Sequence, residues 1–133
     1  MKLRQPPSGR NIPNFTSLIL KQIGRGDISH SYSTSESLFK AAKDGDELAL
    51  RITEKVGKVN AIGFANVVDA YDPELISVGG SITLNNPELI LNPIKRNVKE
   101  YAINRVPCIA TTPLGGEVVL YGALVLAEKS DEF

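Results

Sequence analysis

Apolar residues in the first half of this chain recur at helical spacing, and further on they gather into two short unbroken runs. Phe15, Leu18, Ile19 and Ile23 mark one face of a first helix. Asn11 is placed to cap that helix, Pro13 falls in its early turn where a missing N–H does no harm, and Gly24 and Gly26 end it. Ser33 and Glu36 have the spacing of a capping box, which opens a short helix with Leu38, Phe39 and Ala42 on one side and Gly45 past its end. Asp46 then caps a helix that meets no breaker before Tyr71 and is stopped by Pro73.

That long helix changes character midway. Leu48, Ile52, Val56 and Val59 form an apolar stripe opposed by Glu47, Arg51, Glu54 and Lys58, as on a helix half in water. From Ala61 to Ala70 the polar face nearly vanishes, so this half is expected to be buried on most sides. Gly63 would then allow close approach, and Asn60, Asn66 and Asp69 would need partners.

Leu75-Ile76-Ser77-Val78 and Cys108-Ile109-Ala110-Thr111-Thr112 read as strands, ending in Gly79-Gly80-Ser81 and in Pro113-Leu114-Gly115-Gly116. Between them the pattern gives a short helix near Pro87 to Leu91. A longer one follows to about Ile103, with Asn92 as cap and Pro93 in first position separating the two. Strand, helical crossover and strand make a βαβ unit with parallel strands. The last segment, Val118 to Glu128, is almost wholly apolar and reads as a buried helix, packed on the sheet or against a missing partner.

In an open parallel sheet, ligands gather beyond the carboxyl ends of the strands, which here carry the two glycine loops. Glycine permits positive φ and close backbone approach, and a following helix start offers unpaired N–H groups to an anion. Gly79, Gly80, Ser81, Gly115 and Gly116 are the candidate binding residues, in a setting that suits a nucleotide phosphate or ribose, although glycine after a strand also serves as plain turn punctuation. Glu117 stands close enough to join them, although an acidic residue at a helix start also serves the helix itself. Asp72-Pro73-Glu74 reads as a helix stop and turn.

Other residues change this picture little. His30 is the sole histidine and lies in a polar loop without a Cys or Ser partner, so no catalytic or metal role is assigned. Cys108, the sole cysteine, is expected to be a small buried hydrophobe; it excludes an intrachain disulfide and fits a cytoplasmic setting. There is no Walker-type loop. Fifteen basic and fifteen acidic residues give a net charge of zero, so no field favours nucleic acid or an anionic membrane. The densest basic stretch, Lys95 to Lys99, alternates like a solvated helix face. No run approaches the ~20 apolar residues of a membrane span.

The stretch from Asn60 to Ser81, NAIGFANVVDAYDPELISVGGS, resembles the signature of the ROK family of sugar kinases: a buried helix, a strand and the glycine pair that contacts adenosine. Ser8-Gly9-Arg10-Asn11-Ile12-Pro13 resembles a segment of the archaeal glucokinase-like members. Leu114-Gly115-Gly116 leading to Leu120-Tyr121-Gly122-Ala123 resembles the family's last glycine loop and helix. The resemblance runs from about Ser8 to Ala127 and implies an α/β fold that is the C-terminal part of an actin-like ATPase (ribonuclease H-like) fold. Residues 1–7 would form a ragged start and residues 8–133 a partial C-terminal lobe. It further implies ATP with Mg²⁺ as cofactor and a hexose as acceptor, with Gly79, Gly80 and Ser81 against the adenosine or its phosphates and Gly115 and Gly116 on the neighbouring wall.

In the family, the N-terminal phosphate loop, the catalytic aspartate, a second phosphate-binding glycine loop and the sugar- and zinc-binding segment all precede the residues resembled here. Where the family often has an acidic pair and small residues after the last glycine loop, this chain has Gly116-Glu117-Val118-Val119. Two consequences are expected: no phosphoryl transfer by this chain alone, and an exposed apolar sheet edge that pairs with another copy or with a separate N-terminal lobe. The alternative is a non-catalytic, self-associating scaffold that kept the fold. The family's repressors would need a winged helix-turn-helix, for which there is no room in this sequence.

Overall fold

A computed structural model describes residues 11–130. Residues 1–10, which include the expected ragged start and the Ser8-Gly9-Arg10 part of the resemblance, lie outside the described residues. In chain order the described elements are α1 (Ile12–Gln22), a 3-10 turn (Gly26–Tyr32), α2 (Ser35–Lys43), α3 (Glu47–Tyr71), β1 (Leu75–Val78), α4 (Ser81–Asn85), α5 (Pro87–Tyr101), β2 (Cys108–Thr111), a second 3-10 turn (Gly115–Glu117) and α6 (Val118–Ser130).

The 25-residue α3 is the frame, about 37 Å long at the usual helical rise. Asp46 starts it: the carboxylate accepts the Leu48 and Ala49 N–H groups at 2.9 and 3.0 Å. The same carboxylate accepts the Tyr32 hydroxyl at 2.7 Å, which ties the first 3-10 turn to α3. Burial, together with the hydrogen bond to Asp46 and its charge, pushes the Tyr32 phenol up to about 12.

Two apolar clusters share α3. The first joins Phe15, Ile19 and Leu20 of α1 and Leu38, Phe39 and Ala42 of α2 to Ala49, Ile52 and Val56. The second joins Ala61 and Ala65 to Leu91, Ile94 and Val98 of α5 and Ile109 of β2. α3 and α5 come close at Gly57, where an added Cβ would sit 2.2 Å from Pro93 Cβ.

That contact explains a departure from the sequence pattern. Pro93 was expected to begin a separate helix, with Asn92 as cap; instead α5 runs unbroken through it, starting at Pro87 after Asn86. The interior proline forfeits one backbone hydrogen bond. In return its ring, buried, fills the notch that Gly57 leaves in α3.

The cap of α2 is also displaced by one residue. Ser33 still belongs to the helical backbone that ends the preceding turn. Thr34 is extended and accepts the Ser37 N–H at 3.0 Å, while Ser37 Oγ accepts the Thr34 N–H at 3.2 Å. Asn11 precedes α1 without a side-chain cap, its Oδ1 accepting from Asn14 Nδ2 at 3.2 Å.

Strands β1 and β2 pair in parallel, Leu75 opposite Cys108 through Val78 opposite Thr111, and form a two-stranded sheet among the described residues. Asp69, near the end of α3, accepts the Ile103 and Asn104 N–H groups at 2.9 Å each and so fixes the approach to β2. The face carrying Ile76 and Ile109 packs on α5 and α3. The opposite face is open, so Leu75 is 57% exposed and Cys108, expected to be buried, is exposed too.

Two further expectations of burial are corrected for the same reason. In the second half of α3, Ala61, Ala65 and Val68 are buried, but Ile62 and Val67 face outward and nothing approaches Gly63. Asn66 lies on that exposed side. Helix α6 is exposed throughout Val119–Lys129, with Leu126 at 73%. It packs against the Gly115–Glu117 turn and not across the sheet.

Candidate functional site: the glycine loops and the groove beside them

Both glycine loops leave the carboxyl end of the sheet and lie side by side. The Thr112 N–H donates to Val78 O at 2.9 Å, which joins the start of the second loop to the end of β1. Gly79 sits in the seam: a Cβ there would be 3.3 Å from both Thr112 Cγ2 and Val118 Cγ1. Gly80 has φ +98, a backbone state that L side chains rarely adopt, and Gly115 has φ +57. Gly116 borders open space. Glu117 closes the second turn and is exposed.

Ser81 begins α4, which is five residues long before Asn86 breaks the backbone and α5 starts. So short a helix offers little of the dipole that the sequence suggested for an anion. What the structure provides instead is a concavity of about 260 Å³ between α4 and α2. Ser81, Ile82, Asn85 and Asn86 form one wall, with Glu36, Phe39, Lys40 and Lys43 on the other.

Lys43 Nζ donates to Asn85 O at 2.9 Å, pinning the two walls together. With two lysines and one glutamate, the groove is polar and carries one net positive charge. Ser81 of the first glycine loop lines it, whereas Gly115 and Gly116 do not, although their turn touches α4.

The α2 residues were missed in the sequence, although Glu36, Lys40 and Lys43 have the spacing of one helix face. Such spacing usually marks plain solvated surface, and nothing local tells the two apart. Thr112 was also missed: buried, it accepts the Leu114 N–H at 3.3 Å and shapes the second loop. His30 is exposed in the first 3-10 turn, away from the groove. Among the described residues no group of three His, Cys, Asp or Glu could hold a metal ion, and no helix is long and apolar enough to cross a membrane.

The model of the ROK family matches residues 19–130. The chain belongs to the ROK family. Its relatives include the glucokinase of Pyrobaculum calidifontis, 32% identical over 124 residues, which span 93% of this chain and 39% of that protein. The glucokinase of Aeropyrum pernix is 30% identical over 133 residues, 93% of this chain and 41% of that one.

Among solved structures, a ROK family glucokinase from Streptomyces griseus in complex with glucose and AMPPNP superposes with a TM-score of 0.73. It is 25% identical, over 92% of this chain and 43% of that one. The ROK hexokinase of Thermus thermophilus superposes with a TM-score of 0.61 at 28% identity, over 75% of this chain and 36% of that one. This ROK chain thus has part of the actin-like ATPase fold of the sugar kinases, helix-rich with a short parallel sheet. It spans about two-fifths of the length of the curated relatives it matches.

Proposed function

We propose that this chain is the nucleotide-side segment of an ATP-dependent glucokinase or hexokinase and does not transfer phosphate by itself. The observation that carries this reading is the polar, lysine-bearing groove beside Gly79-Gly80-Ser81 at the carboxyl end of the sheet. A related glucokinase was solved with glucose and the ATP analogue AMPPNP, which supports a nucleotide as the ligand of this fold.

On this reading Gly80 turns the backbone away from the ligand, and Ser81 offers a hydroxyl and an N–H. Lys40 and Lys43 complement negative charge, while Gly115 and Gly116 stand on the neighbouring wall. Mg²⁺ would come with the ATP phosphates, the usual way that ion is held. ATP supplies the phosphoryl group to a hexose hydroxyl; this chain's residues bind and orient the nucleotide. Transfer also needs a base for the hydroxyl and charge neutralisation on the far side of the phosphates, which this reading assigns to the complementary part of the kinase cleft. A cytoplasmic location goes with this activity.

The open sheet face, the free edge of β1 and the exposed α6 favour a partner that covers them: another copy, or a polypeptide carrying the rest of the kinase cleft. The same exposure favours a second reading, a self-associating scaffold that has lost the chemistry. Calorimetric titration of the purified chain with MgATP, beside its mass from light scattering, separates the two. The kinase reading expects saturable binding that Gly80→Val abolishes and no glucose 6-phosphate formed. A stable oligomer with no nucleotide binding would replace it with the scaffold.

A further inference from the structure

A second cavity, of about 240 Å³, lies where the two apolar clusters meet. Its lining is mostly apolar, with Val56 of α3, Val78 of β1, Ile82 of α4 and Ile94 of α5 contributing. It is separate from the groove described above, although Phe39 and Ile82 form a wall of both. About 150 Å³ of apolar cavity suffices for benzene, so one ring with a substituent fits here.

Two polar groups interrupt that lining. Asn60 is half-buried on α3, and neither its side-chain amide nor the Thr83 hydroxyl has a hydrogen-bond partner among the described residues. The third polar side chain in the lining, Thr53, is already committed, its hydroxyl donating to Leu50 O at 2.9 Å. An asparagine amide presents one acceptor and one donor edge side by side, which pairs reciprocally with another planar amide. An apolar pocket with few convergent polar groups is how small-molecule sites are commonly built.

We propose that this cavity is a binding site for a small planar aromatic molecule bearing a carboxamide-like edge. The ring is held by Val56, Ile82 and Ile94 and the edge by Asn60 and Thr83. Val78 and Ile82 flank Gly79-Gly80-Ser81 in sequence, so occupancy also alters the surroundings of the first glycine loop. This site does not depend on the nucleotide reading and is tested without nucleotide.

Benzamide is the probe, with toluene as the same ring lacking the polar edge. In amide- and methyl-resolved NMR of the whole chain, benzamide should shift Val56, Ile94 and the Asn60 side-chain amide saturably, with smaller shifts at Gly79 and Gly80. Asn60→Leu should weaken benzamide roughly tenfold, the loss of about two modest hydrogen bonds, and leave toluene unweakened. Val56→Phe should fill the space and abolish both; Asn60→Leu keeps the test valid if that variant folds poorly. The absence of saturable shifts at these residues, or benzamide binding indifferent to Asn60→Leu, would overturn the assignment.

Discussion

Helices α5 and α6 each come after a strand of the one sheet, α5 as an amphipathic helix and α6 as an almost wholly apolar one, yet they end in environments opposite to those compositions. α5 buries Leu91, Ile94 and Val98 against α3 and β2, whereas α6 leaves Leu120, Leu124 and Leu126 in the open. The difference lies in the neighbours, since the more apolar helix is the exposed one. α3 supplies α5 with a matching notch at Gly57 and small residues at Ala61 and Ala65, while no described element presents such a surface to α6. An apolar run records that something must cover it; it does not say what.

Substitutions should therefore divide sharply between the closed body and the open end. The largest effect is expected at Phe39, almost fully buried between α1, α2 and α3: Phe39→Ala should cost about 4 kcal/mol in urea unfolding. Next comes Gly57→Ala, which forces a methyl into the Pro93 ring and should cost about 3 kcal/mol. A cost below about 1 kcal/mol for that variant would mean that α3 and α5 separate freely and that the closed body is closed in name only.

A smaller effect belongs to the Asp46 cap, where Asp46→Ala should cost about 1 kcal/mol. Hydrogen bonds from the Ala49 N–H, then from the Tyr32 hydroxyl and less from the Leu48 N–H, hold its carboxyl below the ordinary aspartate value against the opposing effect of desolvation. The folded state thus binds this proton less tightly than the unfolded chain. The contribution is complete above the ordinary aspartate range and is lost as pH falls through the lowered value. Asp46→Asn should flatten that acid limb of the stability profile. At the alkaline end the sign reverses: Tyr32, raised from 10.0 to about 12, loses its contribution as pH climbs through that interval.

Thr16 offers a change in the other direction. Its hydroxyl is buried without a partner, so Thr16→Val should stabilise the body by about 1 kcal/mol. The smallest effect on unfolding is expected at the open end, where Leu120→Glu with Leu124→Glu should stay within about 0.5 kcal/mol. The same pair should lower any self-association seen by light scattering. A large loss of stability from it would show that α6 is packed after all.

How far the sequence could be read follows the same division. The start of α3 at Asp46, its end before Pro73 and the strand Leu75–Val78 were legible because each depends on local chemistry: a cap, a breaker, a β-rich run closed by glycine. Pro93 misled because its tolerance inside α5 depends on Gly57, many residues upstream. The Ser33-Glu36 spacing misled by one residue, since Thr34 and Ser37 can make the same reciprocal bonds and the preceding turn already claims Ser33. The glycine loops were visible as punctuation. The lysines facing Ser81 were not, because the groove exists only once α2 and α4 are brought together across the Lys43–Asn85 bond.

The proposal that this end of the fold receives a nucleotide is tested most directly by mapping AMPPNP with Mg²⁺ onto the amide resonances of the intact chain. Saturable shifts are expected at Gly79, Gly80, Ser81 and Asn85, at Glu36, Lys40 and Lys43, and more weakly at Gly115 and Gly116. Lys43→Ala should weaken them and Gly80→Val should remove them. Shifts confined to other surfaces, or none at saturating nucleotide, would contradict it.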